Sequence, residues 1–286
     1  MLPNWGTRLA SGAGIAANGT LASGVDCIQR MNRRPVVLVI AGSDSSGGAG
    51  LIRDVQVLSD LGVDSLCAIT AVTAQSDSQV RAVHLMPAEL VRAQISAALA
   101  TRPVDAIKIG MLGNRAIVEV VAQCLPARTS IPIVLDPVLV SSSGASLLDA
   151  EGRQAMRLEL FPRVSLITPN LPEAAALLDE MIADDERDQQ RQACKLREFG
   201  AEAVLIKGGH GAGVEAVDLL VTATDPVRRM ASARLDTTCR GTGCALASAI
   251  AAGLSSQLSL AAACVRAKHY VHDMLVESGS CQEVSI

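Results

Sequence analysis

The sequence is poor in aromatic side chains. Phenylalanine, tyrosine and tryptophan together make up 1% of the 286 residues, with two Phe, one Tyr and one Trp. Platforms that stack on nucleic acid bases, and the aromatic belts of membrane proteins, both need several such rings. The composition therefore argues against either kind of protein.

An excess of basic residues is also missing. The chain carries 25 Lys and Arg against 29 Asp and Glu, which gives a net charge of −4. Without a basic field the protein has no general attraction for nucleic acid or for an anionic membrane surface. We therefore expect no nucleic acid or membrane partner, and a small molecule as the ligand.

Long apolar runs and paired cysteines are absent as well. No apolar run approaches the ~20 residues that span a bilayer, and the eight cysteines contain no CxxC pair. Neither an export signal nor a membrane anchor is evident, and thiols without regular spacing are typical of a reducing compartment. These features predict a cytoplasmic protein.

The chain divides into two parts by composition. Residues 1–34 are rich in Gly, Ala, Ser and Asn and have no periodicity, which predicts a flexible N-terminal extension. The segment 35–286 is long enough and apolar enough to bury one large core. We expect a single domain there.

Strand-like and helical segments alternate within that domain. Apolar runs at 36–41, 65–70, 106–109, 133–136, 165–168 and 203–207 predict strands. Helices are predicted at 49–61, 87–100, 114–124, 150–160, 171–178, 189–199, 242–253 and 258–277, and the charged stretch 184–191 is interpreted as a solvated loop. Because the strands are apolar throughout, we expect an α/β fold with three αβα layers around a mainly parallel central sheet.

A glycine-rich and serine-rich segment, AGSDSSGGAG, connects the first strand to the first helix at residues 41–50. Ligands in parallel sheets bind beyond the carboxyl ends of the strands, which is where this segment lies. It matches neither GxxxxGK[ST] nor GxGxxG, and such a turn is also typical of an ordinary loop. Asp54, one turn into the helix, either faces the same pocket or favours the helix N-terminus electrostatically.

The segment RGTGC, at residues 240–244, runs directly into an apolar helix. Small residues at a helix start leave backbone N–H groups available, and the helix dipole attracts an anion such as a phosphoryl group. Cys244 falls in the first turn, where the dipole lowers a thiol's pKa and favours a role as base or nucleophile. A buried cysteine beside a glycine turn is the alternative.

Polar residues also end three other predicted strands. Asp136 closes one strand, Asn170 and Glu173 follow the next, and Lys207 ends a third. Two carboxylates at this edge could hold Mg²⁺ through waters, and the lysine could bind a phosphate. Each residue alone is equally typical of a turn, a helix cap or a surface charge.

In this order and at about this spacing, the motifs resemble those of a known family. The motifs, in chain order, are AGSDSSGGAG, ITAVTAQ, DAIKIGMLG, VLDPVLVSSSG, LITPNLPEAAALL, AVLIKGGH and GTGC. Together they resemble those of the bifunctional hydroxymethylpyrimidine/phosphomethylpyrimidine kinases of thiamine biosynthesis, within the ribokinase-like superfamily. The resemblance runs from about Val36 to Val276. It implies a ribokinase-like fold, ATP and Mg²⁺ as cofactors, a homodimer, and phosphorylation of 4-amino-5-hydroxymethyl-2-methylpyrimidine and then of its monophosphate.

The resemblance also implies roles for individual residues. Contacts to the pyrimidine are expected from Asp54 and Gln75, in a pocket shaped by Gly42, Met111 and Val138. Metal and phosphate-end carboxylates are expected at Asp136 and Glu173, and ATP-phosphate contacts at Asn170 and Lys207. The anion hole is expected at Gly241, Thr242 and Gly243, with Cys244 as the catalytic base. The family usually has histidine where this chain has Arg240, which we expect to add a contact to the ATP phosphates.

Two other functions stay open. A pyridoxal or pyridoxine kinase has the same fold, but Gln75 and Met111 stand in the family's pyrimidine contexts. A non-catalytic pyrimidine sensor is favoured by Arg240 alone and opposed by Asp136, Glu173, Lys207 and Cys244. Turnover of ATP distinguishes the enzymes from the sensor.

Overall fold

The computed structural model describes residues 33–126, 131–141, 144–209, 211, 213–237 and 239–282. Residues from Arg34 onward form one compact unit. The predicted flexible extension over 1–34 lies almost wholly outside the described residues and stays a prediction.

The described residues contain a nine-stranded sheet. Its strands are β1 (Val36–Asp44), β2 (Asp64–Gln75), β3 (Val80–Leu85), β4 (Ala106–Ile109), β5 (Ile133–Leu135), β6 (Leu166–Ile167), β7 (Ala203–Ile206), β8 (Glu215–Thr222) and β9 (Arg228–Ala233). The strand order is β3-β2-β1-β4-β5-β6-β7-β8-β9. All pairs from β2 to β7 are parallel, whereas β3, β8 and β9 pair antiparallel with their neighbours. The carboxyl ends of the parallel strands therefore lie along one edge.

Helices cover both faces of this sheet. They are α1 (Gly50–Asp60), α2 (Ala88–Thr101), α3 (Arg115–Cys124), α4 (Ala150–Ala155), α5 (Leu171–Leu178), α6 (Glu186–Glu198), α7 (Thr242–Ser255) and α8 (Leu260–Gln282), with a π-helical turn at Met156–Leu160 and a 3₁₀ turn at Phe161–Arg163 after α4. One core cluster joins the sheet to α2 through α6, and a second joins it to α1, α7 and α8.

Strand β1 shows why the strands are apolar throughout. Leu38 and Ile40 belong to the first cluster, whereas Val37, Val39 and Ala41 belong to the second. Successive side chains of a strand point to opposite faces, and here both faces are covered by helices. The predicted three-layer α/β fold is confirmed.

Two sequence predictions need correction. The antiparallel strands β3, β8 and β9 were not predicted. Most side chains of β3 and β9 are exposed, and charged residues at the first and fourth positions of β8 interrupt its apolar pattern. The stretch 184–191 is not a solvated loop: α6 begins at Glu186, and the side chain of Asp185 caps it by accepting a hydrogen bond from Asp188 N. Among the described helices, none is both long enough and apolar enough to cross a bilayer.

Candidate active site

A cavity of about 1020 Å³ opens beyond the carboxyl ends of the parallel strands. Of the fourteen residues that the sequence singles out as functional, thirteen line it: Gly42, Gln75, Met111, Asp136, Val138, Asn170, Glu173, Lys207, Arg240, Gly241, Thr242, Gly243 and Cys244. They come from turns after six strands and from the start of α7. The parallel topology is what brings these distant segments together.

Lys207 lies at the centre of the cavity between two carboxylates. Its Nζ is 2.7 Å from Asp136 Oδ1 and 3.9 Å from Glu173 Oε2. Burial opposes the charge of Lys207, but the two carboxylates outweigh that effect and raise its pKa. The lysine is therefore a permanent positive charge at the edge of β7.

Glu173 is fixed in place by the start of α5. Asn170 is the N-cap residue, and its Oδ1 accepts from Glu173 N, while Glu173 Oε2 accepts from Asn170 N, both at 2.8 Å. This reciprocal pair is a capping box, so the NLPE sequence both starts the helix and aims the carboxylate. Burial raises the pKa of Glu173 to about 7, although the charge of Lys207 opposes the rise.

The turn before α7 lies against Lys207 and Asp136. Gly241, at φ 75°, caps α7, and a Cβ there would collide with the carbonyl oxygen of Gly48. A Cβ at Gly243 would stand 3.1 Å from Lys207 Nζ and 3.7 Å from Asp136 Oδ2. Glycine thus allows the backbone of the turn to approach both the β1 loop and the charged groups. The first N–H groups of α7 point into the cavity region where an anion is favoured.

Cys244, in the first turn of α7, is partly buried and accepts a hydrogen bond from the backbone N–H of Gly50. Burial raises the pKa of its thiol to about 11, although the nearby charge of Lys108 opposes the rise. The sequence-based expectation of a dipole-lowered thiol pKa is wrong, because removal of the thiolate from water outweighs the dipole. At neutral pH the group is a thiol.

One end of the cavity has apolar walls. Gly42, Met111 and Val138 line it, together with Gln75 from the end of β2. A Cβ on Gly42 would lie 2.9 Å from Met111 Sδ, so only glycine fits beside that sulfur. Among the described residues, no Phe, Tyr or Trp side chain lines the cavity. A flat ring entering this end would contact aliphatic and thioether groups.

The comparisons with known proteins agree with this geometry. The family model for phosphomethylpyrimidine kinase matches residues 44–284. The chain belongs to the phosphomethylpyrimidine kinase family. It is 43% identical over 238 residues to the hydroxymethylpyrimidine/phosphomethylpyrimidine kinase of Rhizobium meliloti (strain 1021), covering 83% of this chain and 89% of the relative.

Solved structures give the same result. The phosphomethylpyrimidine kinase of Clostridium difficile 630 superposes with a TM-score of 0.73 at 33% identity, covering 84% of this chain and 99% of the other. The pyridoxal kinase of Staphylococcus aureus in complex with AMP-PCP superposes with a TM-score of 0.78 at 29% identity, covering 85% and 89%. The sequence-based recognition of a ribokinase-like small-molecule kinase is confirmed.

For a member of this kinase family, Asp54 lies in an unexpected place. It is 0% exposed and does not line the cavity. Its carboxylate pairs with Lys108 Nζ at 2.7 Å and accepts from Ser248 Oγ at 2.8 Å. The prediction of a direct pyrimidine contact is therefore corrected: Asp54 sits below the cavity floor, where it neutralises Lys108, which does line the cavity.

Arg240 also departs from its predicted place. Its guanidinium donates to Asp44, Ser46, Ser76 and Asp77. These acceptors belong to the loop after β1 and the turn after β2, at the apolar end of the cavity. The guanidinium therefore has its partners on the β1 and β2 side of the sheet, whereas Asn170 and Lys207 follow β6 and β7, and the predicted ATP-phosphate contact is not supported by these partners.

Several cavity residues were missed by sequence reasoning. Asp44 and Lys108 stand inside the quoted AGSDSSGGAG and DAIKIGMLG motifs, so their position next to identified residues was the available signal. Asp218 and Lys268 form a buried pair at 2.8 Å, and Asp218 also accepts from Gly208 N beside Lys207. Nothing local marks that pair, since 50 residues separate its members.

Proposed function

We propose that this chain uses ATP to phosphorylate 4-amino-5-hydroxymethyl-2-methylpyrimidine and then its monophosphate, in the route to thiamine. The observation that carries the proposal is a glycine turn at the start of α7 packed against Lys207 and Asp136, beside a pocket with apolar walls. The first element suits a transferring phosphoryl group. The second suits a small ring, and the family match supports the pyrimidine.

ATP is expected across the β6 and β7 end of the cavity. Lys207 supplies a positive charge there, and Asn170 lies beside it, because the two residues bridge at the sheet edge. The cavity continues to Arg234, whose guanidinium donates to the carbonyls of Gly208 and Gly209 in the turn after β7. The AMP-PCP complex of the Staphylococcus aureus kinase supports the use of ATP.

The carboxylates present suit Mg²⁺. Asp136 and Glu173 offer hard oxygen donors near the phosphate end, and within the described residues no group of three or more His, Cys, Asp or Glu side chains could form a closed metal cage. Mg²⁺ is typically bound by one or two carboxylates together with substrate phosphates and waters. When bound, it would neutralise charge that develops on the transferring group.

The first phosphorylation needs a proton acceptor. The hydroxyl oxygen of the substrate attacks the γ-phosphorus, the bond to the β-phosphate oxygen breaks, ADP leaves, and the hydroxyl proton must be accepted late in the transfer. We place the thiolate form of Cys244 in that role, because the residue lines the cavity next to the glycine turn. With a pKa of about 11 only a small fraction is deprotonated at neutral pH, and that fraction takes the proton and becomes the thiol. The backbone N–H groups of the turn and Lys207 stabilise the charge on the moving group.

The second phosphorylation has a different acceptor. A phosphate monoester with a second pKa of about 6 is largely ionised at neutral pH. Its oxygen can attack without losing a proton, so only the anion hole and the charged centre are needed. The two reactions should therefore depend unequally on Cys244.

A coupled ADP-release assay tests the proposal. Purified protein with Mg-ATP is given the pyrimidine alcohol, its monophosphate and pyridoxal at equal concentrations. Turnover of both pyrimidines is the expected result. If none of the three compounds were phosphorylated but the pyrimidine still bound measurably, the protein would instead be a sensor.

Pyridoxal kinase is the second candidate, favoured by the TM-score of 0.78 with the Staphylococcus aureus pyridoxal kinase. The family model and the closer sequence identity to the Rhizobium meliloti relative oppose it. Turnover of pyridoxal alone in the same assay would establish it.

We also infer a cytoplasmic location and a homodimer. Six described cysteines are free thiols, namely Cys67, Cys124, Cys194, Cys239, Cys244 and Cys264, which suits a reducing compartment. Val72 is 45% exposed on β2, next to the edge strand β3, and an exposed apolar side chain there is suited to contact between copies. Light scattering on the eluted protein checks the dimer, and a Val72→Lys variant that stays dimeric would exclude this surface.

A further inference from the structure

Arg240 joins three segments at the apolar end of the cavity. Its Nη2 donates to Asp44 Oδ2 at 3.0 Å, and its Nη1 lies 2.8 Å from Ser46 Oγ, 3.1 Å from the backbone oxygen of Ser76 and 3.2 Å from Asp77 Oδ1. Asp44 is the last residue of β1, Ser46 follows that strand, and the last two acceptors lie between β2 and β3. We call these five residues the Arg240 clasp.

The two ends of the clasp differ in burial. The side chain of Asp44 is 4% exposed, that of Arg240 is 17% exposed, and that of Asp77 is 90% exposed. A buried charge pair is held firmly because neither partner can be left alone, whereas an exposed pair is screened by water. The arginine is therefore fixed to the β1 loop and only lightly bound to the turn at 76–79.

That turn forms part of the cavity wall. Gln75, Asp77 and Ser78 line the cavity on the same side as Gly42 and Met111. Apart from the clasp, the turn is held by exposed hydrogen bonds: Gln75 N donates to Ser45 Oγ, and Ser76 N donates to the backbone oxygen of Gln79. Such bonds exchange readily with water. The flanking strands pair as far as Gln75 and Val80, and the clasp adds a contact from residues 76–79 themselves to the buried framework through Arg240 and Asp44.

We propose that Arg240 is a positioning residue for the pyrimidine. It holds the turn at 76–79 against the apolar end of the cavity. The affinity of the protein for the pyrimidine ring therefore depends on Arg240, whereas its affinity for ATP does not. The proposal rests on the proposed function, which places the ring at this end. Its physical basis is that every clasp acceptor belongs to the β1 and β2 side of the sheet, three or more strands away from β6 and β7.

The decisive variant is Arg240→Gln, which removes the charge and the fork of donors. We expect the KM for the pyrimidine alcohol and for the monophosphate to rise about tenfold, as for the loss of one or two hydrogen bonds. The KM for ATP and the kcat should stay within about twofold. Arg240→Lys keeps the charge and should recover part of the affinity, although one ammonium cannot match the geometry of the guanidinium fork.

Arg229→Gln is the matched control. Arg229 is also an arginine between two carboxylates, Glu186 and Glu215, but it is exposed and lies outside the cavity lining. All kinetic constants should be unchanged in this variant. A rise in the KM for ATP in Arg240→Gln would overturn the proposal, and so would a rise for the monophosphate alone, because that would mark Arg240 as a direct phosphate contact.

Hydrogen–deuterium exchange tests the clasp without any substrate. The amides of 76–79 should exchange faster in Arg240→Gln than in the wild type or in Arg229→Gln, and equal exchange would overturn the proposal. Asp77→Asn changes a side chain that is 90% exposed, so the variant should fold normally. It should also speed exchange of these amides, but less than Arg240→Gln does, and it should raise the KM for the pyrimidine about threefold. If the wild type turns over no pyrimidine, the proposed function fails, while the exchange result still decides the clasp.

Discussion

At the scale of single residues, Cys244 is the proposed source of the difference between the two phosphorylations. It lines the cavity beside the glycine turn, and it is the proposed proton acceptor for the alcohol. We expect Cys244→Ala to reduce kcat for the alcohol by about 100-fold, as for the loss of a general base. Turnover of the monophosphate should fall by less than about tenfold. Parallel ADP-release assays measure both, and equal losses would exclude Cys244 as a base.

The pKa of Cys244 gives a second prediction. Because burial raises that pKa to about 11, the thiolate fraction at neutral pH is small and grows until the pH passes 11. Alkylation of Cys244 by iodoacetamide should therefore reach its half-maximal rate near pH 11, and the alcohol reaction should accelerate with pH over the same range. Mass spectrometry of tryptic peptides measures the alkylation, since cleavage after Arg240 separates Cys239 from Cys244.

Cys194 is the reference thiol for that experiment, because it is exposed on α6 and lies in a separate tryptic peptide. Because Cys194 is accessible to the reagent and Cys244 is partly buried, Cys194 should react faster than Cys244 at neutral pH. If Cys244 reacted first, the effect of the helix dipole would exceed that of burial, and the original expectation from the sequence would be restored.

The residues that sequence reasoning misplaced share one property. Arg240 pairs with Asp44 across 196 positions, and Asp54 pairs with Lys108 across 54. A motif shows which backbone segment lies at the sheet edge, but the direction of a long or charged side chain depends on partners supplied by other segments. The glycines and Asp136 were predictable because their roles follow from the backbone position alone.

At the scale of secondary-structure elements, a buried ion pair links α8 to the sheet. Lys268 Nζ is 2.8 Å from Asp218 Oδ2 on β8, and both residues are buried. Replacement of Lys268 by Met leaves a buried carboxylate without its counter-charge, which costs about 3 to 5 kcal/mol. We expect that loss in the free energy of unfolding, measured by urea denaturation.

Lys195→Met is the control for this prediction. Lys195 pairs with Glu180, but its side chain is 45% exposed. The same substitution there should cost less than about 1 kcal/mol. Equal losses in the two variants would mean that the Lys268 pair adds nothing beyond a surface contact.

The elements differed in how well the sequence revealed them. The parallel strands were predicted because helices on both faces favour apolar runs, as in β1 up to Ala41 and in β5. The edge strand β9, with the sequence RRMASA, has mostly exposed side chains and gives no such pattern. Helix α6 was shortened for a similar reason, since its acidic first turn resembles a loop although it favours a helix N-terminus.

At the scale of the whole molecule, every described site residue and both core clusters lie beyond position 34. A chain that begins at Arg33 should therefore keep the melting temperature within about 2 °C and kcat/KM for both pyrimidines within about twofold, since surface changes away from the core cost little. Calorimetry and the ADP-release assay measure these quantities. A large loss of either would show that residues 1–32 contribute to the kinase fold or to its site.

The wall made by Met111 exposes the molecule to oxidants. Its sulfur lies so close to Gly42 that even a Cβ has no room there. Oxidation to the sulfoxide adds a polar oxygen to this apolar wall, and methionine sulfoxide reductases reverse that change. Because Met111 is a proposed wall of the pyrimidine pocket, its oxidation would weaken binding of the ring, and the proposed kinase activity would then depend on the reducing capacity of the cell.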